Sequence, residues 1–464
     1  MRNSLFKALF LLLPVCGSVL TAGDERPNVL LIISDDQGFG DFGFTGNKLV
    51  RTPNLDRLAS ESAVYKNFIV AAACSPTRAA LFTGRDHLLT GTWGVGPRAG
   101  LRDDETRMPA FFKAAGYKTL HVGKLDSAKV GNKSPTVFGW DDWLGGGAYE
   151  QRDPMLWKPK NSVRGKGWTA DLWTDATLDY IREHRDTPWF ASVAYIIPHL
   201  PWECAEKYSA PFIAQGCSKS LADCYGSISH LDECIGRLLD GLKETGQDRR
   251  TIVVFLSDNG PTSPAASKQS EAELAKDVDW VKRNAANLRG HKTTVWENGV
   301  RVPLLVRWPQ LIKAGERQQF AGVEDLLPSL LDLAQIDPKI TPHQPFTGVT
   351  LRASLADGST HAERPELLRM KITGTGSPEA NISDVTQRKF ADHHLTLRGP
   401  RYSYHALPQG QSALYDILAD PGETTDVKAK FPEMATAMEK RCRERWQEVI
   451  ASGRSFTPEP VEKK

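Results

Sequence analysis

Cysteine is scarce in this chain, with seven residues in 464, and no two of them form a Cys-x-x-Cys pair. That spacing argues against a structural zinc site. Excess charge of one sign is also lacking: 58 Lys and Arg stand against 56 Asp and Glu, a formal net charge of +2. No strong field therefore points to nucleic acid or to a membrane surface. Beyond the first two dozen residues no apolar run approaches the ~20 residues that a membrane-spanning helix needs. The chain also lacks an internal repeat; the echo between Ile33-Ser34-Asp35-Asp36 and Leu256-Ser257-Asp258-Asn259 is local.

What is present reads as one large globular protein, with 40% hydrophobic and 25% charged residues and enough length for a substantial core. Residues 1–23 read as a secretory signal: Arg2 and Lys7, then the apolar Leu9 to Leu13, then the small-residue exit Thr21-Ala22-Gly23. Val15 ahead of Cys16 is too large for a usual lipoprotein site. The expectation is an exported protein, periplasmic or extracellular, without a membrane span. Residues 24–345 are expected to form an α/β domain and residues 346–464 a smaller α+β subdomain with a loose tail. Cys204, Cys217, Cys224 and Cys234 fall close together, which in an exported protein predicts one or two local disulfides.

Chemistry gathers at the ends of apolar runs. Asn28 to Ser34 is continuously apolar in its centre, as expected for a strand buried on both faces of a parallel sheet, and it ends in Asp35-Asp36. Two adjacent carboxylates there are costly unless a cation neutralises them, and ligands of open α/β sheets collect at that edge. Thr251 to Ser257 is a second such run, ending in Asp258-Asn259-Gly260. Three carboxylates and an amide make an all-oxygen set suited to a hard cation such as calcium or magnesium. Trp189 to Ile197 is a third run, followed by Pro198-His199-Leu200-Pro201. A histidine at a strand exit can donate a proton or bind an anion. Tyr117 to Val122 delivers Gly123-Lys124-Leu125-Asp126. In Cys74-Ser75-Pro76-Thr77-Arg78, Pro76 fits a first helical turn. Cys74 then lies just ahead of a helix start, where free N–H groups favour an anion, and Arg78 adds a forked cation.

The ordered set resembles the type I, formylglycine-dependent sulfatases (arylsulfatase-like members of the alkaline phosphatase superfamily). It comprises Cys-x-Pro-x-Arg with Thr83-Gly84, Asp35-Asp36, Thr52-Pro53-Asn54-Leu55-Asp56, Gly123-Lys124, Pro198-His199-Leu200-Pro201, Asp258-Asn259-Gly260, Gly290-His291-Lys292 with Glu297 to Pro303, and Leu414-Tyr415-Asp416. The resemblance implies an alkaline phosphatase-like α/β fold: a large, mostly parallel or mixed sheet flanked by helices, with a smaller C-terminal antiparallel sheet and helix. It implies hydrolysis of sulfate esters by a formylglycine made from Cys74, a change that needs a formylglycine-generating enzyme. Calcium would be held by Asp35, Asp36, Asp258 and Asn259 together with residue 74. Arg78, Lys124, His199 and Lys292 would contact the sulfate, with His199 or Lys292 supplying the leaving-group proton.

Asp126 departs from the pattern, which usually has histidine there. A carboxylate beside a sulfate needs a partner or another task, so Asp126 is expected to pair with Lys124 or to bind substrate. Asn298 replaces a glycine, a change expected to be tolerated because Asn enters left-handed conformations. The substrate class is a sulfated small molecule or glycan, with carbohydrate sulfate preferred over aryl sulfate. The alternatives are a phosphodiesterase or phosphonate monoester hydrolase of the same superfamily, and a non-catalytic sulfated-glycan binder.

Overall fold

The computed structural model describes residues 26–95, 101–102, 104–125, 139–146, 149–262, 270–274, 276–359, 364–372 and 389–453. The leader, with Cys16, lies outside the described residues, as do Asp126 and the tail beyond Phe456.

The large sheet is built from β1 (Asn28–Ser34), β2 (Ala63–Ile69), β3 (Lys118–Gly123), β4 (Asp142–Gly146), β5 (Met155–Trp157), β6 (Ser162–Arg164), β7 (Trp189–Ala194), β8 (Thr251–Ser257), β9 (Arg301–Arg307), β10 (Gly315–Arg317) and β11 (Ala321–Gly322). Its order is β10-β2-β9-β8-β1-β7-β3-β4-β5-β6, with β11 also on β2. The apolar run of β1 takes the centre, parallel to β7 on one side and β8 on the other, and every one of its residues is buried. The expected both-face burial follows from helices on each side. Val29, Leu31 and Ile33 pack with Leu81, Phe111 and Leu330 on one face. Leu30 and Ile32 pack with Leu55, Ile235 and Leu238 on the other. Each such side chain contributes on the order of 1.5–3 kcal/mol.

The helices on these faces include α1 (Pro53–Ser60), α2 (Cys74–Thr83), α3 (Met108–Ala114), α4 (Thr169–Glu183), α5 (Glu206–Ala214) and α6 (Lys219–Glu244). A second sheet holds β12 (Leu367–Met370), β13 (Leu395–Arg398), β14 (Tyr402–Ala406) and β15 (Ser412–Asp416), all antiparallel. The terminal helix Pro432–Ala451 covers it through Met438, Cys442 and Trp446. Among the described residues no helix is long and apolar enough to cross a membrane.

The expected disulfides are absent. Cys204, Cys217, Cys224, Cys234 and Cys442 all carry free thiols. Cys224 and Cys234 sit on the one helix α6, about 15 Å apart at 1.5 Å rise per residue. They serve different apolar clusters, Cys224 with Cys217 and Phe212, Cys234 with Leu231 and Leu238. Here they behave as small hydrophobes.

Candidate active site

Register brings the site together. Ser34 of β1 pairs with Ser257 of β8, so the next residues, Asp35 and Asp258, emerge side by side. Gly123 of β3 pairs with Ala194 of β7, which sets Lys124 at the same edge; its N–H donates to the Ala194 carbonyl at 2.9 Å. Gly123 has φ of 101°, and a Cβ there would lie 2.2 Å from the Ala194 oxygen, so glycine is required. Strand β9 runs antiparallel to β8 and β2, and its start lies at this edge with the loop that carries Lys292. Strand β2 ends there too and leads into Cys74.

Helix α2 begins at Cys74 itself, with Ala73 as the cap, one residue earlier than the sequence suggested. The Thr77 N–H bonds the Ala73 carbonyl at 3.1 Å, and that bond draws Cys74 into the first turn. The Thr77 hydroxyl accepts from the Ala71 N–H at 2.9 Å, pinning the approach to the helix. All ten residues of α2 are buried.

Three carboxylates meet three cations in this space. Lys124 Nζ lies 2.6 Å from Asp35 Oδ2, Lys292 Nζ lies 2.7 Å from Asp36 Oδ1, and Arg78 Nη2 lies 2.8 Å from Asp258 Oδ2. Arg78 Nε reaches the same oxygen at 3.2 Å, and its Nη1 donates to the Lys124 carbonyl at 2.8 Å. Asn259 Nδ2 donates to Asp36 Oδ1 at 2.8 Å. All three carboxylates are fully buried. Burial alone would raise the Asp35 pKa, yet Lys124, His199, Lys292 and Arg78 hold it well below the usual carboxylate range. Asp258 is pushed up to about 7, by burial first and by Asp35 next, against the pull of Arg78. Burial opposes the charge on Lys292, but Asp36, Cys74 and Asp35 hold its pKa above the ordinary lysine value.

Two oxygens in this cluster, Asp35 Oδ1 and Asn259 Oδ1, are buried without a hydrogen-bond partner. Orphaned buried acceptors cost ~1–3 kcal/mol each, and both belong to the expected cation ligands. An oxygen-only set with two unused acceptors fits a hard cation. Asp35, Asp36 and His199 also place ligand atoms within 4.8 Å of one another. Asp36 has φ of 65°, a left-handed conformation that costs ~1–3 kcal/mol and marks sites held by their surroundings.

His199 is fixed by contacts that the sequence did not reveal. Its Nδ1 bonds the Leu200 carbonyl at 2.6 Å, which turns Nε2 toward Asp36 Oδ2 at 3.7 Å. Tyr149 stacks on the imidazole with centroids 4.0 Å apart and an interplanar angle of 11°. Lys124 Nζ lies 4.8 Å from the same tyrosine ring. Arg283, within the polar, charge-rich sequence from Thr262 to Arg289, is buried and pairs with Asp41 at 2.9 Å. Its Nη2 also donates to the Asp36 carbonyl at 2.9 Å, so it braces the strained residue. A buried arginine in a polar run leaves no periodic signal; Tyr149 follows a glycine run without any motif.

Asn298 corrects an expectation. It lies in the short helix Glu297–Val300, outside the left-handed region. Its Nδ2 instead donates to the Gly290 carbonyl at 3.0 Å, tying the Lys292 loop to the helix. His291 is half-buried, with Nδ1 on the Lys292 carbonyl at 2.7 Å.

A second metal-capable group joins Asp171 of α4 to His230 and Cys234 of α6. Arg237 already neutralises Asp171 at 3.1 Å, and burial pushes the Cys234 thiol up to about 12. With a protonated thiol and a spoken-for carboxylate, that group works as packing between two helices.

Residues 27–336 match the family model described as Sulfatase, a span that holds every residue of the cluster. The N-acetylgalactosamine-6-sulfatase of Sus scrofa is 30% identical over 77% of this chain and 71% of its own length. The ulvan-active sulfatase of Formosa agariphila is 27% identical over 89% of this chain and 78% of its own. The solved structure of Ps i-CgsB with k-i-k-neocarrahexaose superimposes with a TM-score of 0.79 at 23% identity, covering 94% of this chain and 96% of that one, which shows a shared fold. The carboxylate–cation cluster thus falls inside a matched family domain, and the chain belongs to the sulfatases, sulfuric ester hydrolases of the alkaline phosphatase superfamily.

Proposed function

We propose that this protein hydrolyses sulfate esters of carbohydrates, using a formylglycine made from Cys74 and a calcium ion held by Asp35, Asp36, Asp258 and Asn259. The observation that carries the proposal is the charge balance at the start of α2. Three buried carboxylates are cancelled by Arg78, Lys124 and Lys292, while Asp35 Oδ1 and Asn259 Oδ1 have no partner. A divalent cation would engage those oxygens and leave the site positive by two charges. A sulfate monoester anion and an ionised hydroxyl at residue 74 would restore neutrality.

When bound, calcium lowers the pKa of a hydroxyl and offsets charge on sulfuryl oxygens; the aldehyde hydrate at residue 74 offers a hydroxyl that cysteine lacks. The chain's own groups do the rest. Arg78, paired with the Asp258 carboxylate at 2.8 Å, favours its ionised form against burial and fixes its direction. Lys124 and Lys292 present fixed positive charge to the sulfuryl oxygens, where preorganised donors act most strongly. His199, with Nε2 turned inward beside Asp36, donates to the leaving alcohol. A leader at residues 1–23 would export the protein, and a formylglycine-generating enzyme would mature it. The carbohydrate preference rests on the names of the N-acetylgalactosamine-6-sulfatase and ulvan-active relatives.

The test starts with the mass of the peptide carrying residue 74, taken from protein matured in its source. Sulfate release from N-acetylgalactosamine 6-sulfate and from ulvan oligosaccharides follows, with matched phosphate esters as the contrast. We expect the thiol-to-aldehyde mass change, faster release of sulfate than of phosphate, and loss of activity on chelation that calcium restores. An unmodified Cys74 in active protein would sink the mechanism. Faster phosphate release would move the protein to the phosphodiesterase and phosphonate hydrolase side of the superfamily.

A further inference from the structure

Directly after Tyr149 the chain leaves the site and builds the β5–β6 hairpin at the free edge of the large sheet. Residues 152–168 hold five cations, Arg152, Lys158, Lys160, Arg164 and Lys166, against the single acid Asp153. The nearby acids are turned to backbone tasks. Glu150 accepts from the Met155 N–H at 2.7 Å, Asp153 from the Gly167 N–H at 2.7 Å, and Asp142 of β4 from the Trp143 N–H at 2.8 Å. Arg164 and Arg152 reach Glu150 and Asp153 at 3.4 and 3.9 Å. Among the described residues Lys158, Lys160 and Lys166 make no ion pair, and all three are exposed. In their midst Trp157 is 49% exposed and Val163 39%.

Edge strands are commonly guarded by lysine and proline against pairing with other chains, though Pro159 lies in the turn between β5 and β6 and not on the edge strand itself. Guarding does not explain an indole left open to water at the same edge, since an exposed aromatic invites association. An aromatic face flanked by unpaired cations of one sign is complementary to a sugar ring carrying sulfate groups. Strand pairing fixes the distance to the site. Trp157 pairs with Gly145 of β4, and β4 adjoins β3, whose end delivers Lys124. At about 4.8 Å per strand the hairpin begins roughly 10–15 Å from the site.

We propose that the β5–β6 hairpin is a binding surface for a sulfated polysaccharide chain, gripping the polymer beside the ester that is hydrolysed. This rests on the sulfatase reading in naming a substrate, while binding itself can be measured without turnover.

The test compares four proteins on heparin and on 4-nitrophenyl sulfate: wild type, the variant Lys158→Gln/Lys160→Gln/Lys166→Gln, Trp157→Ala, and a control. The control is Lys243→Gln/Arg249→Gln, at the amino-terminal end of β8. The triple variant should lower the slope of log affinity against log salt for heparin by about 2, since each polyanion contact contributes roughly 0.7. Its kcat/KM on sulfated polymer should fall roughly tenfold, with 4-nitrophenyl sulfate hydrolysis unchanged. Trp157→Ala should weaken heparin binding without changing the slope. A triple variant no different from the control would overturn the proposal. So would lysine-dependent binding to phosphatidylserine vesicles in place of heparin, which would mark a lipid surface. If matured protein cleaves neither ester, the sulfatase reading fails while the heparin slope still judges the hairpin.

Discussion

Lys124 directly follows β3 and Lys292 lies on a loop at the same carboxyl edge, and each is held by its own carboxylate, Asp35 and Asp36. Their ammonium groups are fixed, so they act as permanent charge. His199 is held differently, by a backbone carbonyl on one side and the Tyr149 ring on its face. Tyr149 is therefore a positioning residue that sets the imidazole plane and, by its quadrupole, the Lys124 ammonium. A cation–π contact of this kind is worth about 1 kcal/mol, a factor of about five in rate. Tyr149→Phe, which keeps the ring, should retain kcat within about twofold, whereas Tyr149→Leu should lose about fivefold and shift the alkaline limb of the pH–kcat profile, where the acid gives up its proton. An unchanged profile in Tyr149→Leu would reduce the tyrosine to wall packing.

At the scale of elements, β3 carries a cost that its position imposes. His121 is fully buried. Burial, helped by the nearby Arg78 charge, lowers its pKa from 6.5 to about 3. The unfolded chain binds a proton below pH 6.5 that the folded chain refuses until about pH 3. Stability is then complete above pH 6.5 and falls as the solution is acidified through that window. The loss is about 2 kcal/mol at pH 5. His121→Leu should remove it. The difference in unfolding free energy between variant and wild type, followed by urea titration, should move in the variant's favour by about 2 kcal/mol between pH 8 and pH 5. A constant difference at both pH values would show that His121 takes up its proton in the folded state. His394, its pKa also lowered by burial, to about 2, adds a dependence of the same sign to both proteins.

At the scale of the whole molecule, the second sheet is tied to the first through buried ions. Arg398 of β13 meets Glu297 at 2.6 Å, and Arg369 of β12 meets Glu324 at 2.8 Å and the Val70 carbonyl at 2.9 Å. Glu423, beyond β15, accepts from the Glu297 N–H at 2.7 Å. Glu297 opens the short helix that Asn298 ties to the Lys292 loop, so the C-terminal sheet braces a loop of the site. Burial would raise the Glu297 pKa, and Arg398 and Arg301 hold it down. Removing one partner of a buried pair leaves an uncompensated charge and costs ~3–5 kcal/mol. Arg398→Ala should lose that much in urea unfolding and lower kcat besides. A loss under 1 kcal/mol would mean that Arg301 alone satisfies the glutamate.

Much of this was written in short stretches of sequence. The apolar runs Asn28 to Ser34 and Thr251 to Ser257 became β1 and β8 with those bounds. Asp35-Asp36 and Asp258-Asn259 declared themselves because each pair sits directly after its strand, and Cys74 because proline and arginine follow within one turn. Such features depend on neighbours in the chain, which a reader of the sequence can see. What the chain could not reveal alone depends on partners far apart in it. Only the pairing of Ser34 with Ser257 sets Asp35 beside Asp258. Only the fold lays Tyr149 on His199, sends Arg283 beneath Asp36, and points Cys224 and Cys234 into separate cores. Local propensity and adjacency determine strands and motifs, whereas contacts across tens or hundreds of residues exist only once packing and strand register have chosen which side chains meet.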